Sequence, residues 1–357
     1  MKNWLLALVL ALILIAPVSA AEVSDELWDA LPEGTEDILK NTDLNATDPL
    51  GDGFSQILQS LMGQAKSVLC QRLRGAVSIL LVVLLCGAVD GFSQTAGGAG
   101  PKLVPAAGAL SVTLLAAGSL ESLIGMGGSV IESLNDFSRV LLPVLAAATA
   151  VSGSVTTATV QQVIAVLFTG LLLKLIEGLL MPLVYLYIGT LTAAACLPGG
   201  RLGNLAEALR KCITWVLCGS LTAFTLYLSV SHIITGAADA MAVKMAKAAV
   251  AGVVPVVGGI IAEAADTVLA GAGILKNTIG VFGTLAVLAA CAWPFLHLGI
   301  QYLMYKLVGF LTGVVGSPEL CKLIDGLGSA FGLVLGMTGA SALLLLISIL
   351  SSVSAVT

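Results

Sequence analysis

Long apolar runs dominate the chain, and the stretches that depart from them define its layout. From Phe54 the pattern is two-sided. Phe54, Ile57, Leu58, Leu61, Met62, Ala65, Val68 and Leu69 recur at three- and four-residue steps, with Gln56, Gln59, Gln64, Lys66 and Gln71 opposite. That period predicts an amphipathic helix over 54–74, lying in a membrane interface or against a partner. Arg72 and Arg74 close it.

Uniformly apolar segments follow over 75–92, 103–124, 140–155 and 212–235, and a last one over 327–350. The run 163–197 exceeds the roughly 20 residues that one crossing needs. Lys174, Glu177, Gly178 and Pro182 lie inside it and predict a break into two segments. Loops are expected at 95–101, at the acidic stretch 125–136 and at 198–211, with a polar turn at 239–247. Residues 278–301 read as a crossing and 307–315 as a short apolar piece. The expected fold class is therefore all-α, a polytopic integral membrane protein of about seven or eight hydrophobic segments.

The stretch 252–283 is the odd one. It is apolar, yet it carries Glu263, Asp266, Lys276 and Asn277 and is interrupted by Pro255 and by glycines that include Gly258 and Gly259. Ionisable groups at membrane depth face a bundle interior or a wet cavity, and irregular backbone there needs protein or water to satisfy it. The stretch is read as re-entrant or broken. Its polar residues line a water-filled path, or they form the outer face of a helix lying flat at the interface. In the last segment Gly328, Gly332, Gly336 and Ala340 stand four apart, a small-residue seam for close helix packing within the chain or in a homo-oligomer.

Ahead of the helix at 54–74 the chain changes character. Lys2, the apolar run from Trp4 and the small residues Ser19, Ala20 and Ala21 fit a secretory signal over 1–20, cleaved between Ala20 and Ala21. A retained first anchor is the alternative. Residues 21–53 are acidic and polar, read as an exposed arm or linker too short for a core of its own. The signal and the cationic loop around Arg201, Arg210 and Lys211 agree on orientation, whereas Lys66, Arg72 and Arg74 oppose it under the positive-inside rule.

Composition strengthens the membrane reading and removes other classes. Of 357 residues, 58% are hydrophobic and 10% charged, against about 25% charged in soluble domains. The net charge of −5 comes with no basic cluster of the kind that binds nucleic acid. The seven cysteines form no CxxC pair, and the two histidines, His232 and His297, have no second ligand near them in sequence, so no metal or other cofactor is expected. No GxSxG, HExxH or Walker loop is present, which points away from an enzyme.

With these features assembled, the chain resembles the stage III sporulation protein AE family of endospore-forming Firmicutes. The resemblance rests on the layout and above all on residues 252–283, where PVVGG, the acidic residue before Thr267, and the run Leu275-Lys276-Asn277 followed by Ile279 and Gly280 stand in the family's order. It implies a multi-pass protein of the mother-cell membrane around the forespore. Its partners would be the other stage III sporulation AA–AH proteins, in a channel-like or secretion-like apparatus needed for forespore development. The alternative is a stand-alone small-molecule permease with its substrate path along 252–283.

Overall fold

The computed structural model describes residues 24–32, 34–42, 49–95, 103–152, 167–197, 201–253, 258–315 and 317–354, the side chains of 41, 93–95, 103, 228–269, 315 and 354 excepted. The proposed signal and its cleavage residues Ala20 and Ala21 lie outside them. Every regular element among the described residues is helical: α1 (Asp25–Asp29), α2 (Glu36–Asn41), α3 (Pro49–Thr95), α4 (Leu103–Val151), α5 (Leu167–Cys196), α6 (Arg201–Val253), α7 (Gly258–Val315) and α8 (Pro318–Ser354). The all-α polytopic expectation holds. Five of these helices, α3, α4, α5, α7 and α8, are long and apolar enough to cross a membrane.

The count of about seven or eight segments is not recovered, because several of the expected pieces are continuous helix. The acidic stretch 125–136 is the middle of α4, not a loop. Leu123, Ile124, Ile131, Leu134, Phe137 and Leu141 keep one buried stripe in phase through it, while Glu121, Glu132 and Asp136 stay on the exposed face. Acids at helical spacing interrupt hydropathy without interrupting the helix. The amphipathic helix and the first span likewise fuse into α3, buried along Ile57, Val68, Ala76, Ile79 and Val83. At 1.5 Å per residue its 47 residues reach about 70 Å, more than twice a hydrocarbon core of about 30 Å.

The break expected near Lys174 and Pro182 takes another form. Residues 167–196 make one helix whose turn Ile176–Leu180 is a π-turn. The wider turn sits just ahead of Pro182, whose ring would otherwise press on the carbonyl four residues back. The polar turn expected at 239–247 lies on the helical backbone of α6. From Gly258 onward the 252–283 stretch is continuous with the rest of α7, which also absorbs the pieces at 278–301 and 307–315. The expected break at Pro255 lies outside the described residues.

Burial ranks the helices. In their most apolar windows α7 and α8 are 61% and 56% buried, against 11% for α3. The α7–α8 hairpin is therefore the centre, and α3 is a flank that leaves Phe54, Leu58, Met62, Val77 and Leu85 uncovered. One part of the core joins α3 to α8 around Phe224, Leu298, Phe331 and Val334. The other part holds the acidic arm to the bundle. Leu27 and Leu39 are fully buried beside Phe137, Phe282 and Leu285, and Trp28 meets Phe282 edge-on at 5.1 Å. The acids Asp25, Glu26, Glu36 and Asp37 face outward, so this arm is exposed on one side only.

Candidate functional site

Four residues on α7, Trp293, His297, Gln301 and Tyr305, stand at four-residue steps and share one face of the helix. That face turns inward, and His297, Gln301 and Tyr305 are all nearly fully buried. Against it α3 brings Arg72, whose Nη2 lies 3.3 Å from Nδ1 of His297. A guanidinium only donates, so Nδ1 accepts and the neutral ring carries its proton on Nε2. The imidazole is seated against the Trp293 ring, 4.3 Å between centroids.

This seam is not closed on itself. Arg72 Nε, His297 Nε2 and Gln301 Oε1 are buried with no partner among the described residues. Two are donors and one an acceptor, and burying each unpaired costs about 1–3 kcal/mol. Such groups are held in place by ordered water or by a polar partner. Chemically the seam can bind or relay water. His297 is the only group of the four with an ordinary pKa near neutrality.

Trp293 also connects the seam to a cavity of about 560 Å³ at the arm. The arm contributes Gly34 and Ile38, α3 contributes Gln64, and α4 contributes Glu132 and Asp136. From Trp293 to Tyr305 the polar face runs about 18 Å along α7. Trp293 thus borders both an acid-lined vestibule and a buried polar strip between α3 and α7.

The residues singled out in the sequence fall elsewhere. Glu263 and Asp266 are on the helical backbone of α7, their side chains outside the described residues, and Gly258 and Gly259 open the same helix. Lys276 is 3% exposed, whereas the next residue, Asn277, is exposed. The small-residue seam splits between neighbours. A Cβ on Gly328 would meet Tyr305 Cβ at 3.0 Å and one on Gly332 would meet the Tyr302 ring at 3.1 Å, both on α7. A Cβ on Gly336 would touch Leu217 of α6 at 3.8 Å. Lys174 and Glu177 are both exposed. A second polar tie, one residue beyond Tyr305, joins Lys306 Nζ to Asp325 Oδ1 (2.6 Å) and Ser329 Oγ (3.1 Å) on α8.

Sequence reading passed over the His297 seam because it sought ligands close by in the chain. The signal available was the four-residue recurrence Trp293, His297, Gln301, Tyr305 inside an apolar run. Arg72, in another helix, left no such signal.

Comparison with known proteins bears on the whole bundle. The Stage III sporulation protein AE of Bacillus subtilis (strain 168) is 25% identical over 212 residues, covering 59% of this chain and 53% of that protein. The match spans about half the length of this relative. No solved structure matches the chain. The sequence model of the family described as stage III sporulation protein AE matches residues 46–355, from the start of α3 to the end of α8, and the chain belongs to that family.

Proposed function

We propose that this protein is a non-enzymatic, multi-pass membrane component of the stage III sporulation AA–AH apparatus between mother cell and forespore, in the mother-cell membrane around the forespore. The family match over 46–355 carries this reading. A bundle with five span-length helices and large uncovered apolar flanks on α3 supports it, since such flanks suit lipid or partner helices. Within the apparatus the vestibule and the Arg72–His297 seam are one polar element of the chain, and Glu263, Asp266, Lys276 and Asn277 serve as a separate set of polar path or core residues. Gly258, Gly259, Gly328, Gly332 and Gly336 serve close helix packing. The permease alternative draws on a broken 252–283 segment; from Gly258 that segment is helix, and its expected break at Pro255 lies outside the described residues.

The test is affinity purification of the tagged full-length chain from sporulating cells, with a deletion strain scored for forespore development. Co-purification of the other AA–AH proteins together with arrested development is the expected result. Recovery of the chain alone from cells that sporulate normally would overturn the proposal. Impermeant thiol labelling of cysteines placed at 263 and 266 then separates a conducting role from a scaffold. Labelling at both, with lipid-facing neighbours protected, marks a wet path.

A further inference from the structure

The flank of α6 carries a feature that neither the family nor the seam explains. Ala206, Ile213, Leu217 and Phe224 form the buried stripe of this helix. Arg210, Lys211, Thr214, Trp215 and Cys218 therefore lie to the side and outward, and Trp215 is 81% exposed. Between this flank and the α7–α8 hairpin opens a groove of about 580 Å³, where Arg210 and Lys211 face Tyr302, Lys306 and Ser329. A second, shallow hollow of about 620 Å³, lined by α6 alone, runs on past Cys218, Gly219, Thr222 and Ala223 to Leu226. The two share Thr214 and Trp215, so they form one trough with a cationic mouth and an apolar length.

We propose that this trough is a binding site for one anionic glycerophospholipid, with its phosphate at Arg210, Lys211 and Lys306 and an acyl chain along Cys218 to Leu226. The charges select the headgroup. Lys306 is matched by Asp325 at 2.6 Å and Lys211 by Glu207 at 2.8 Å. The guanidinium of Arg210 has no acceptor among the described residues, and Arg binds phosphate oxygens through its planar fork. Three cations against two carboxylates leave the mouth positive, which favours a headgroup of net negative charge and disfavours one that carries its own quaternary ammonium. Basic pockets beside apolar helix surface are a recurrent form of lipid recognition.

The dimensions select a lipid over a soluble anion. Trp215 stands where charge gives way to apolar sequence, the position at which indole rings settle at headgroup level. From Trp215 to Leu226 the helix rises about 17 Å, close to the half of a hydrocarbon core of about 30 Å that one leaflet contributes. The floor is made of small side chains, and a Cβ added at Gly219 would meet nothing within 4 Å. Such a trough suits a flexible chain rather than the ridged side of a second helix, and a soluble anion would leave it empty.

The full-length protein, purified in a mild detergent, would be titrated with phosphatidylglycerol or phosphatidylcholine vesicle lipid and bound lipid counted by native mass spectrometry. Phosphatidylglycerol is expected to be retained over phosphatidylcholine. Arg210→Gln with Lys211→Gln should reduce retention roughly tenfold or more, on the scale of single cation–lipid attractions. Gly219→Phe, which fills the apolar length and leaves the charges alone, should reduce it as well. Thermal melts of each variant confirm the fold, and the Gly219 variant keeps the test open if the charge variant fails to fold. Equal retention of the two lipids, or unchanged retention in folded variants, would overturn the proposal. Full competition by glycerol 3-phosphate would do so too, since it would reduce the site to one for a free phosphate.

Discussion

Arg72 on α3 and His297 on α7, 225 residues apart, meet through a single contact of 3.3 Å inside an apolar interface. Among the described residues it is the one side-chain hydrogen bond that either makes, and each also has a nitrogen with no partner. Removing one partner therefore strands the other. His297→Leu or Arg72→Met alone should destabilise the protein by about 1–3 kcal/mol, whereas the double change should cost less than the sum of the two. Thermal unfolding of the four members of this cycle in detergent measures the coupling, and strict additivity would mean that the contact contributes nothing.

Gly127 tests how tightly α4 meets the central hairpin. A Cβ there would come within 2.4 Å of Val334 Cγ1, on a β-branched side chain that is fully buried. Gly127→Ala should cost about 1–3 kcal/mol through overpacking. Gly125, two residues away with open space around it, is the control. There the same change should be neutral or stabilising by up to about 1 kcal/mol from helix propensity. Equal melting shifts for the two variants would contradict the packing.

The arm is held by two leucines. Leu27→Ala with Leu39→Ala should loosen residues 24–42 from the bundle, because these are the arm's two fully buried leucine side chains among the described residues. Limited trypsin digestion reads this at Lys40, which is slow to be cut in the native chain and fast in the variant, while α4 and α7 stay protected. A truncated buried leucine costs about 2–5 kcal/mol in a full core, enough to populate the released arm. Rapid native cleavage at Lys40 would show that the arm is not docked.

Tyr187 on α5 donates to the carbonyl of Gly326 on α8 at 3.1 Å, in a buried setting. Tyr187→Phe should lower stability by about 1 kcal/mol and leave the helix content unchanged. By contrast Lys306→Met, at a half-exposed ion pair, should change stability by less than about 1 kcal/mol. Melting curves and circular dichroism on the pair separate a buried hydrogen bond from a solvated charge.

The class of the protein was legible in the chain because hydropathy and helical period are local properties. Residues 54–74 and 327–350 announce a two-sided helix and an apolar helix wherever they pack. Local pattern also misled at 125–136, where acids on the outer face of α4 read as a loop, since a linear window cannot tell a polar face from a polar gap. What tertiary structure alone decided is which faces meet. The buried stripe of α4 runs unbroken past Glu132 because the α7–α8 hairpin lies along it. The same packing seats Leu27 and Leu39, and brings Arg72 to His297 across more than half of the sequence. Burial and partnership are properties of two surfaces at once, and no single stretch of chain encodes the other.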